Sequence, residues 1–300
     1  MRIILHPKRK SLKGCVVALG TFDGVHLGHR KVINRAVKFA KKQRVPSIVM
    51  TFDPHPQHLV APERGLRLLT TLKEREELFK QLGVDGVVVI RFTEHTRKMS
   101  SAEFVDKYLV GRLGVRRVFV GYDYAFGQGR KGAIKDLKKL GEKYGFAVSV
   151  VPAVKVKNEA VKSRQIRNLI STGDFAKAVS LLGHPYMIAG KVVKGAGRGT
   201  KLGFPTANLQ VTAEKLVPAH GVYAGIVNGK KCAVNIGARP TFSAGSTLVE
   251  VHIPRFKGNI RGKRLKVQLV ARLRDEKQFA DVEELKKQIR KDIVSLIRLS

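Results

Sequence analysis

Cysteine is almost missing from this chain. Cys15 and Cys232 are the two it has, both stand in apolar runs, and neither has a neighbour at metal-ligand spacing, so both read as core thiols. Long hydrophobic runs are missing too. Stretches such as Val87–Ile90 fall far short of a membrane span, and Met1-Arg2-Ile3-Ile4-Leu5-His6-Pro7 is too short an apolar stretch for a signal peptide. The expectation is a cytoplasmic protein without a membrane partner. Acidic residues are scarce, 23 Asp and Glu against 58 Lys and Arg, a net charge of +35. The excess is spread along the chain, +21 over residues 1–185 and +14 over 186–300, so it is not a basic arm. Such a field steers anionic substrates and attracts RNA without sequence preference. No nucleic-acid module accompanies it, which leaves nucleic acid as a non-specific partner if it is one at all. What the chain does have is 43% hydrophobic residues over 300 positions, enough for two domains with cores of their own.

The chain is organised around Gly20-Thr21-Phe22-Asp23-Gly24-Val25-His26-Leu27-Gly28-His29. An apolar β-branched run, Cys15–Leu19, precedes it. Val32, Ile33, Ala36, Val37 and Ala40 follow at helical spacing. A strand, a glycine-rich turn and a helix aim backbone N–H groups and a positive dipole end at the turn, where an anion fits. Gly20, Gly24 and Gly28 let a phosphate chain approach the backbone. His26 and His29 fall on one side of the first helical turn. The pattern is neither the dinucleotide fingerprint nor the P-loop. It resembles the G-x-F-D-x-x-H-x-G-H arrangement of nucleotidyltransferases.

Residues 1 to about 151 alternate strands (Cys15–Gly20, Ser47–Phe52, Gly86–Phe92, Arg116–Gly121, Phe146–Val151) with helices (Arg30–Arg44, Lys73–Leu82, Ser101–Leu113, Ile134–Tyr144). That order predicts a doubly wound parallel sheet with ligands at the carboxyl ends of its strands. Two further strand ends carry unusual residues. Asp53-Pro54-His55-Pro56 is a turn frozen by two prolines. Gly121–Gly132 mixes glycine, aromatic and basic residues, a composition suited to a flat ring and a phosphate. Lys162-Ser163-Arg164-Gln165-Ile166-Arg167 opens a helix with three cations, read as a solvated helix end or as a triphosphate contact through Arg167.

From about Tyr186 the periodicity becomes that of short strands: Ile188–Val193, Ala207–Val211, Val222–Val227, Cys232–Ile236, Leu248–Ile253 and Leu265–Ala271. Turns at Asn228-Gly229, Gly245 and Gly258-Asn259 separate them. Six such strands predict a small closed barrel, followed by a helix from Val282 to about Ile297 with Leu285, Ile289, Ile293 and Leu296 on one stripe. Gly195-Ala196-Gly197-Arg198-Gly199-Thr200-Lys201 suits a nucleotide's phosphates. Thr206 and Asn208 offer neutral oxygens on one side of an extended chain, a donor set that Mg²⁺ accepts. Glu250 lies in an otherwise apolar strand, where alternation can place it on the solvent face.

These segments occur in the order seen in prokaryotic bifunctional riboflavin kinase/FAD synthetases, and the chain resembles that family over nearly its whole length. Asp174-Phe175, Leu181-Leu182-Gly183, Pro185-Tyr186, the Phe204-Pro205-Thr206-Ala207-Asn208 run, Gly221-Val222-Tyr223 and Asn235–Phe242 continue the match. The resemblance implies an α/β nucleotidyltransferase-type doubly wound parallel sheet over 1–185. A six-stranded antiparallel β-barrel with a C-terminal helix follows over 186–300. It implies ATP-dependent phosphorylation of riboflavin to FMN in the second domain and adenylylation of FMN to FAD in the first, with Mg²⁺ as the ion and a monomer or small homo-oligomer as the working form.

By that resemblance Glu250 is the kinase base, and His26, His29 and Arg167 are the catalytic residues of adenylyl transfer. Gly20, Phe22, Asp23, Gly28, Ser163, Gly197, Arg198, Gly199 and Lys201 bind ATP. Asp53, Pro54, His55, Asp123, Tyr124 and Arg274 bind flavin, and Thr206 and Asn208 hold the metal. Three sites depart from the family. Lys162 and Arg164 flank Ser163 where hydroxyl residues are usual, Arg255 replaces a common aspartate, and Arg261 replaces a common tyrosine. The alternatives are a kinase whose nucleotidyltransferase half is slow or altered, or an RNA-binding protein on the same scaffold.

Overall fold

The central apolar runs of the first half become strands covered on both faces, and the last, Ala147–Val151, a half-buried edge strand. The computed structural model describes residues 2–5, 14–195, 197–238 and 247–298, in two compact units, Met1–Ser163 and Arg164–Ser300. Ala196, Arg239–Phe242 and Gly245 lie outside the described residues.

In the first unit the strands β1 (Arg2–Leu5), β2 (Val16–Leu19), β3 (Ser47–Asp53), β4 (Gly86–Arg91), β5 (Arg117–Gly121) and β6 (Ala147–Val151) form one sheet in the order β1-β4-β3-β2-β5-β6. Every pairing in it is parallel. Successive side chains alternate between two cores. Val16, Ala18, Val49, Val87 and Val89 pack with Val32, Ile33, Ala36, Val37 and Phe79 on one face. Val17, Leu19, Met50, Val88, Ile90 and Val120 pack with Phe104, Leu109 and Leu137 on the other. Burial on both sides explains why these strands read as continuous apolar runs. The expected sheet has five strands; β1, four residues at the sheet edge, is the sixth.

The helices Leu27–Gln43, Leu72–Gln81 and Ile134–Tyr144 match expectation within three residues. The helix expected over Ser101–Leu113 differs. It is α-helical over Ser101–Phe104 and then widens into a π turn over Val105–Val110, with the Gly111 N–H donating to the Asp106 carbonyl at 2.7 Å. The wider turn keeps Val105, Tyr108 and Leu109 buried together.

After β2 the chain moves to β3 and β4 on one side, then crosses to β5 on the other. The loops that follow β2 and β5 therefore flank the reversal of strand order, where ligands sit in open parallel sheets.

The helix Ser163–Thr172 begins on the last residue of the first unit; the rest of it, with the helix Phe175–Leu182, precedes the six antiparallel strands of the second. With the short hairpin strands β7 (Lys155–Val156) and β8 (Glu159–Ala160) of the first unit counted, these are β9 (Tyr186–Val193), β10 (Ala207–Val211), β11 (Gly221–Val227), β12 (Lys230–Ala238), β13 (Thr247–His252) and β14 (Arg264–Arg274). They close into a barrel in the order β10-β13-β12-β11-β14-β9. The chain ends in the helix Val282–Arg298. Its inward stripe holds Leu296, as expected, and also the buried carboxylate of Asp292, which the apolar spacing did not suggest. The guanidinium of Arg274 explains it, gripping both oxygens at 3.0 and 2.8 Å.

Candidate active sites

The loop after β2 is held from below. The Asp23 carboxylate, 2% exposed, accepts from the Leu69 N–H, the Thr70 N–H and the Thr70 hydroxyl at 3.1, 2.9 and 3.1 Å. The Gly24 N–H donates to Thr70 Oγ1 at 2.8 Å, and the Ser163 hydroxyl donates to the Asp23 carbonyl at 3.0 Å. Asp23 is thus a buttress under the loop: its carboxylate, turned inward, fixes the shape of the segment expected to meet the phosphates. Phe22 and Val25, both buried, take φ of +50° and +41°. Such conformations cost side-chain-bearing residues about 1–3 kcal/mol each, so the loop keeps its form through these anchors.

His26 caps the helix Leu27–Gln43. Its Nδ1 accepts from the N–H groups of Gly28 and His29 at 3.2 and 3.4 Å. Two N–H groups expected to face a phosphate are therefore taken by the ring. Gly28 has a steric reason to be glycine, since a Cβ there would stand 3.1 Å from the His26 ring. The ring of His29 stacks on His26, with centroids 3.6 Å apart and planes at 19°, and the edge of Phe22 meets His29 at 5.4 Å. A Cβ on Gly20 would press on the Phe22 ring at 3.0 Å.

Asp53 ends β3, half-exposed, with the Arg75 guanidinium 4.0 Å away, and a cis peptide bond joins it to Pro54. His55 is buried and caps the helix Pro56–Val60 through Nδ1, accepting from the Gln57 N–H at 3.2 Å. After β5, Asp123 is exposed. Tyr124 stacks on Phe126 at 5.6 Å, and rings continue through Phe104 to Phe52. The Tyr124 hydroxyl is buried and meets no hydrogen-bond partner among the described residues. Burial pushes its pKa upward, so it stays protonated. Lys162 and Arg164 are exposed. Arg167 stands one turn after Ser163, in the second compact unit.

In the barrel, Val249 and Val251 point into the core and Glu250 and His252 point away from it, half-buried. Register puts Asn208 of β10 directly opposite Glu250 on one side and Asn235 of β12 opposite it on the other. Three polar side chains thus stand in a row on one face. The Thr206 hydroxyl donates to Glu250 Oε1 at 3.5 Å.

The glycine-rich segment folds against this row. A Cβ on Gly195 would overlap the Asn208 side-chain amide. One on Gly199 would lie 2.5 Å from the Phe204 carbonyl and 3.0 Å from Thr206 Oγ1. Gly197 has a positive φ of 71°. Arg198–Lys201 forms one helical turn, described for Arg198 and Lys201 by backbone alone.

His252 joins Glu250 on this face: its Nδ1–H donates to the Pro205 carbonyl at 2.9 Å and Phe204 stands edge-on at 5.8 Å, a placement marked in the sequence only by its i+2 spacing from Glu250. Arg274, expected at the flavin, is committed to Asp292 and to the Asp275 carbonyl.

Among the described residues no group of three or more His, Cys, Asp or Glu could hold a metal ion. A cation between Thr206 and Asn208 would need a nucleotide's oxygens to complete its shell. No helix among the described residues is long and apolar enough to cross a membrane.

Comparison with known proteins follows the same division. A family model for FAD synthetase matches residues 8–165 and one for riboflavin kinase matches residues 182–299. A bifunctional riboflavin kinase/FMN adenylyltransferase of Pseudomonas fluorescens is 38% identical over 97% of this chain and 94% of its own. The proteins of the same description from Escherichia coli K12 and Bacillus subtilis are 35% and 36% identical, over 93% and 98% of this chain and 91% and 96% of theirs. A solved structure described as a macrolide-efflux protein of Streptococcus pneumoniae matches 100% of both chains with a TM-score of 0.89 and 30% identity.

Proposed function

The chain belongs to the bifunctional riboflavin kinase/FMN adenylyltransferase family, and from that premise we propose how it divides the two reactions between residues 1–185 and 186–300. It phosphorylates riboflavin with ATP to give FMN and ADP, then adenylylates FMN with a second ATP to give FAD and pyrophosphate. The observation that carries the assignment of the first step is the Asn208–Glu250–Asn235 row with Thr206 against its carboxylate.

In the kinase step the ribityl hydroxyl attacks the γ-phosphorus, its proton passes to Glu250, and ADP leaves. The Gly195–Lys201 segment supplies backbone N–H groups and cations to the phosphates. Mg²⁺, held by Thr206 and Asn208 together with nucleotide oxygens, would neutralise charge developing on the transferred group. Thr206 suits this role because its proton points to Glu250 and its lone pairs remain free for a cation.

In the adenylyl step an FMN phosphate oxygen attacks the α-phosphorus and pyrophosphate leaves. His26 offers Nε2–H, since its Nδ1 is an acceptor in the cap, and His29 lies stacked beside it to share the phosphate charge. Ser163, whose hydroxyl holds the Asp23 carbonyl at the base of the same loop, is the further ATP contact on this unit. Asp53, Pro54, His55 and the Asp123-Tyr124 pair line the flavin side, where the run of rings from Tyr124 to Phe52 supports a flat heterocycle. The enzyme acts in the cytoplasm as a monomer or small homo-oligomer, and nucleic acid associates only through charge. Chromatography of flavins from riboflavin, ATP and Mg²⁺ tests the reading: FMN and then FAD are expected, and the formation of neither would refute it.

A further inference from the structure

We propose that Arg75 is a positioning residue for adenylyl transfer, tying the nucleotide loop after β2 to the flavin turn after β3. The proposal rests on the FMN adenylyltransferase reading of the first unit. Arg75 lies on the helix Leu72–Gln81, and at 1% exposure it is the largest fully buried side chain among the described residues. One guanidinium nitrogen donates to the Thr21 carbonyl at 2.7 Å and to the Thr51 hydroxyl oxygen at 2.9 Å. The Thr51 hydroxyl itself donates to that same Thr21 carbonyl at 2.9 Å. The other nitrogen reaches the Phe52 carbonyl at 3.4 Å and stands 4.0 Å from Asp53 Oδ1.

Thr21 lies within the loop that carries His26 and His29, and Asp53 opens the turn with Pro54 and His55. One planar, permanently charged group therefore spans the roots of both half-sites. A fork with several donors at fixed angles can do this; a lysine ammonium on its flexible stem cannot hold the same three acceptors. The buttress at Leu69 and Thr70 is continuous in sequence with Arg75, so a single segment, 69–75, fixes the loop at Thr21, Asp23 and Gly24. Misplacement of reacting groups by about 1 Å can cost on the order of 10²-fold in rate, and a residue gripping both substrates' loops governs that spacing.

The test uses the full chain with Arg75→Lys, Arg75→Met and Thr51→Val. Riboflavin phosphorylation by the same polypeptide is the internal control, and thermal unfolding is followed alongside. Arg75→Lys should raise KM for both ATP and FMN and lower kcat/KM for FAD formation by about tenfold or more. Thr51→Val should shift both constants the same way by a smaller factor. The kinase constants should stay within about twofold of wild type in every variant that folds. Folded Arg75→Lys with wild-type KM values, or a loss seen only as a smaller folded fraction, overturns the proposal. If neither Arg75 variant folds, Thr51→Val decides, and wild-type constants there overturn it too. A wild-type chain that forms FMN and no FAD is a different failure, since it removes the adenylyltransferase reading itself.

Discussion

The hydroxyl of Thr206 lies 3.5 Å from Oε1 of Glu250. Thr206 immediately precedes β10 and Glu250 lies in β13; the pairing of those strands, with Asn208 directly opposite Glu250, carries the two side chains to the same place. A carboxylate turned away from the barrel core and touched by a hydroxyl is placed to take a proton from a third oxygen. Glu250→Gln should lower the rate of FMN formation by about 10²–10⁴-fold. FAD synthesis from supplied FMN should be unchanged. Equal loss of both activities would contradict a base confined to the barrel.

The stacked pair His26 and His29 predicts two unlike variants. His29→Ala should remove adenylyl transfer while leaving thermal stability near wild type, because its ring is not a cap. His26→Ala should remove the activity and also cost about 0.5–2 kcal/mol, the usual worth of an N-cap, since the Gly28 and His29 N–H groups lose their acceptor. Paired FAD assays and melting curves distinguish these; identical stabilities would contradict the capping role.

Arg274 and Asp292 form a two-pronged ion pair that joins β14 to the C-terminal helix. Asp292 is 8% exposed at its side chain and Arg274 22%. Removing the acid leaves a largely buried guanidinium without its carboxylate, so Asp292→Ala should destabilise the chain by about 2 kcal/mol or more. Riboflavin KM should rise as the end of β14 loosens. A denaturant titration and kinase kinetics check both; an unchanged midpoint would contradict the latch.

Cys15 and Cys232 are both held up to about 12 by burial, from an ordinary 9.0. In the native state they should resist alkylation at pH 8 and react only on unfolding. The sign of the linked stability follows from the proton count. Between pH 9 and 12 the unfolded chain has lost these protons and the folded chain keeps them. Stability contributed by the thiols is therefore present below pH 9 and lost as pH rises towards 12. The double variant Cys15→Ala, Cys232→Ala should show a shallower alkaline decline than wild type; an equal slope would contradict it.

Much of this was legible in the chain, for definite reasons. Val16–Leu19 and Gly86–Ile90 are apolar throughout because both faces of the sheet are covered, and Glu250 stands out in β13 because it is a carboxylate among apolar neighbours on an outward position. His26 and His29 were readable as neighbours from their spacing. Other features were hidden because they depend on contacts distant in sequence. Asp23 turns to Thr70, 47 residues on, and Asp292 is drawn inward by an arginine 18 residues earlier. Arg75 reads as one more cation in a polar helix until Thr21 and Thr51 are placed against it. The four-residue strand β1 is too short for periodicity to reveal.

The most direct measurement is a time course of flavin products from riboflavin, ATP and Mg²⁺ with the purified chain. FMN should rise first and fall as FAD replaces it, with the Glu250→Gln chain forming FAD only when FMN is supplied. Riboflavin left unconverted, with neither phosphorylated nor adenylylated product, would contradict the account.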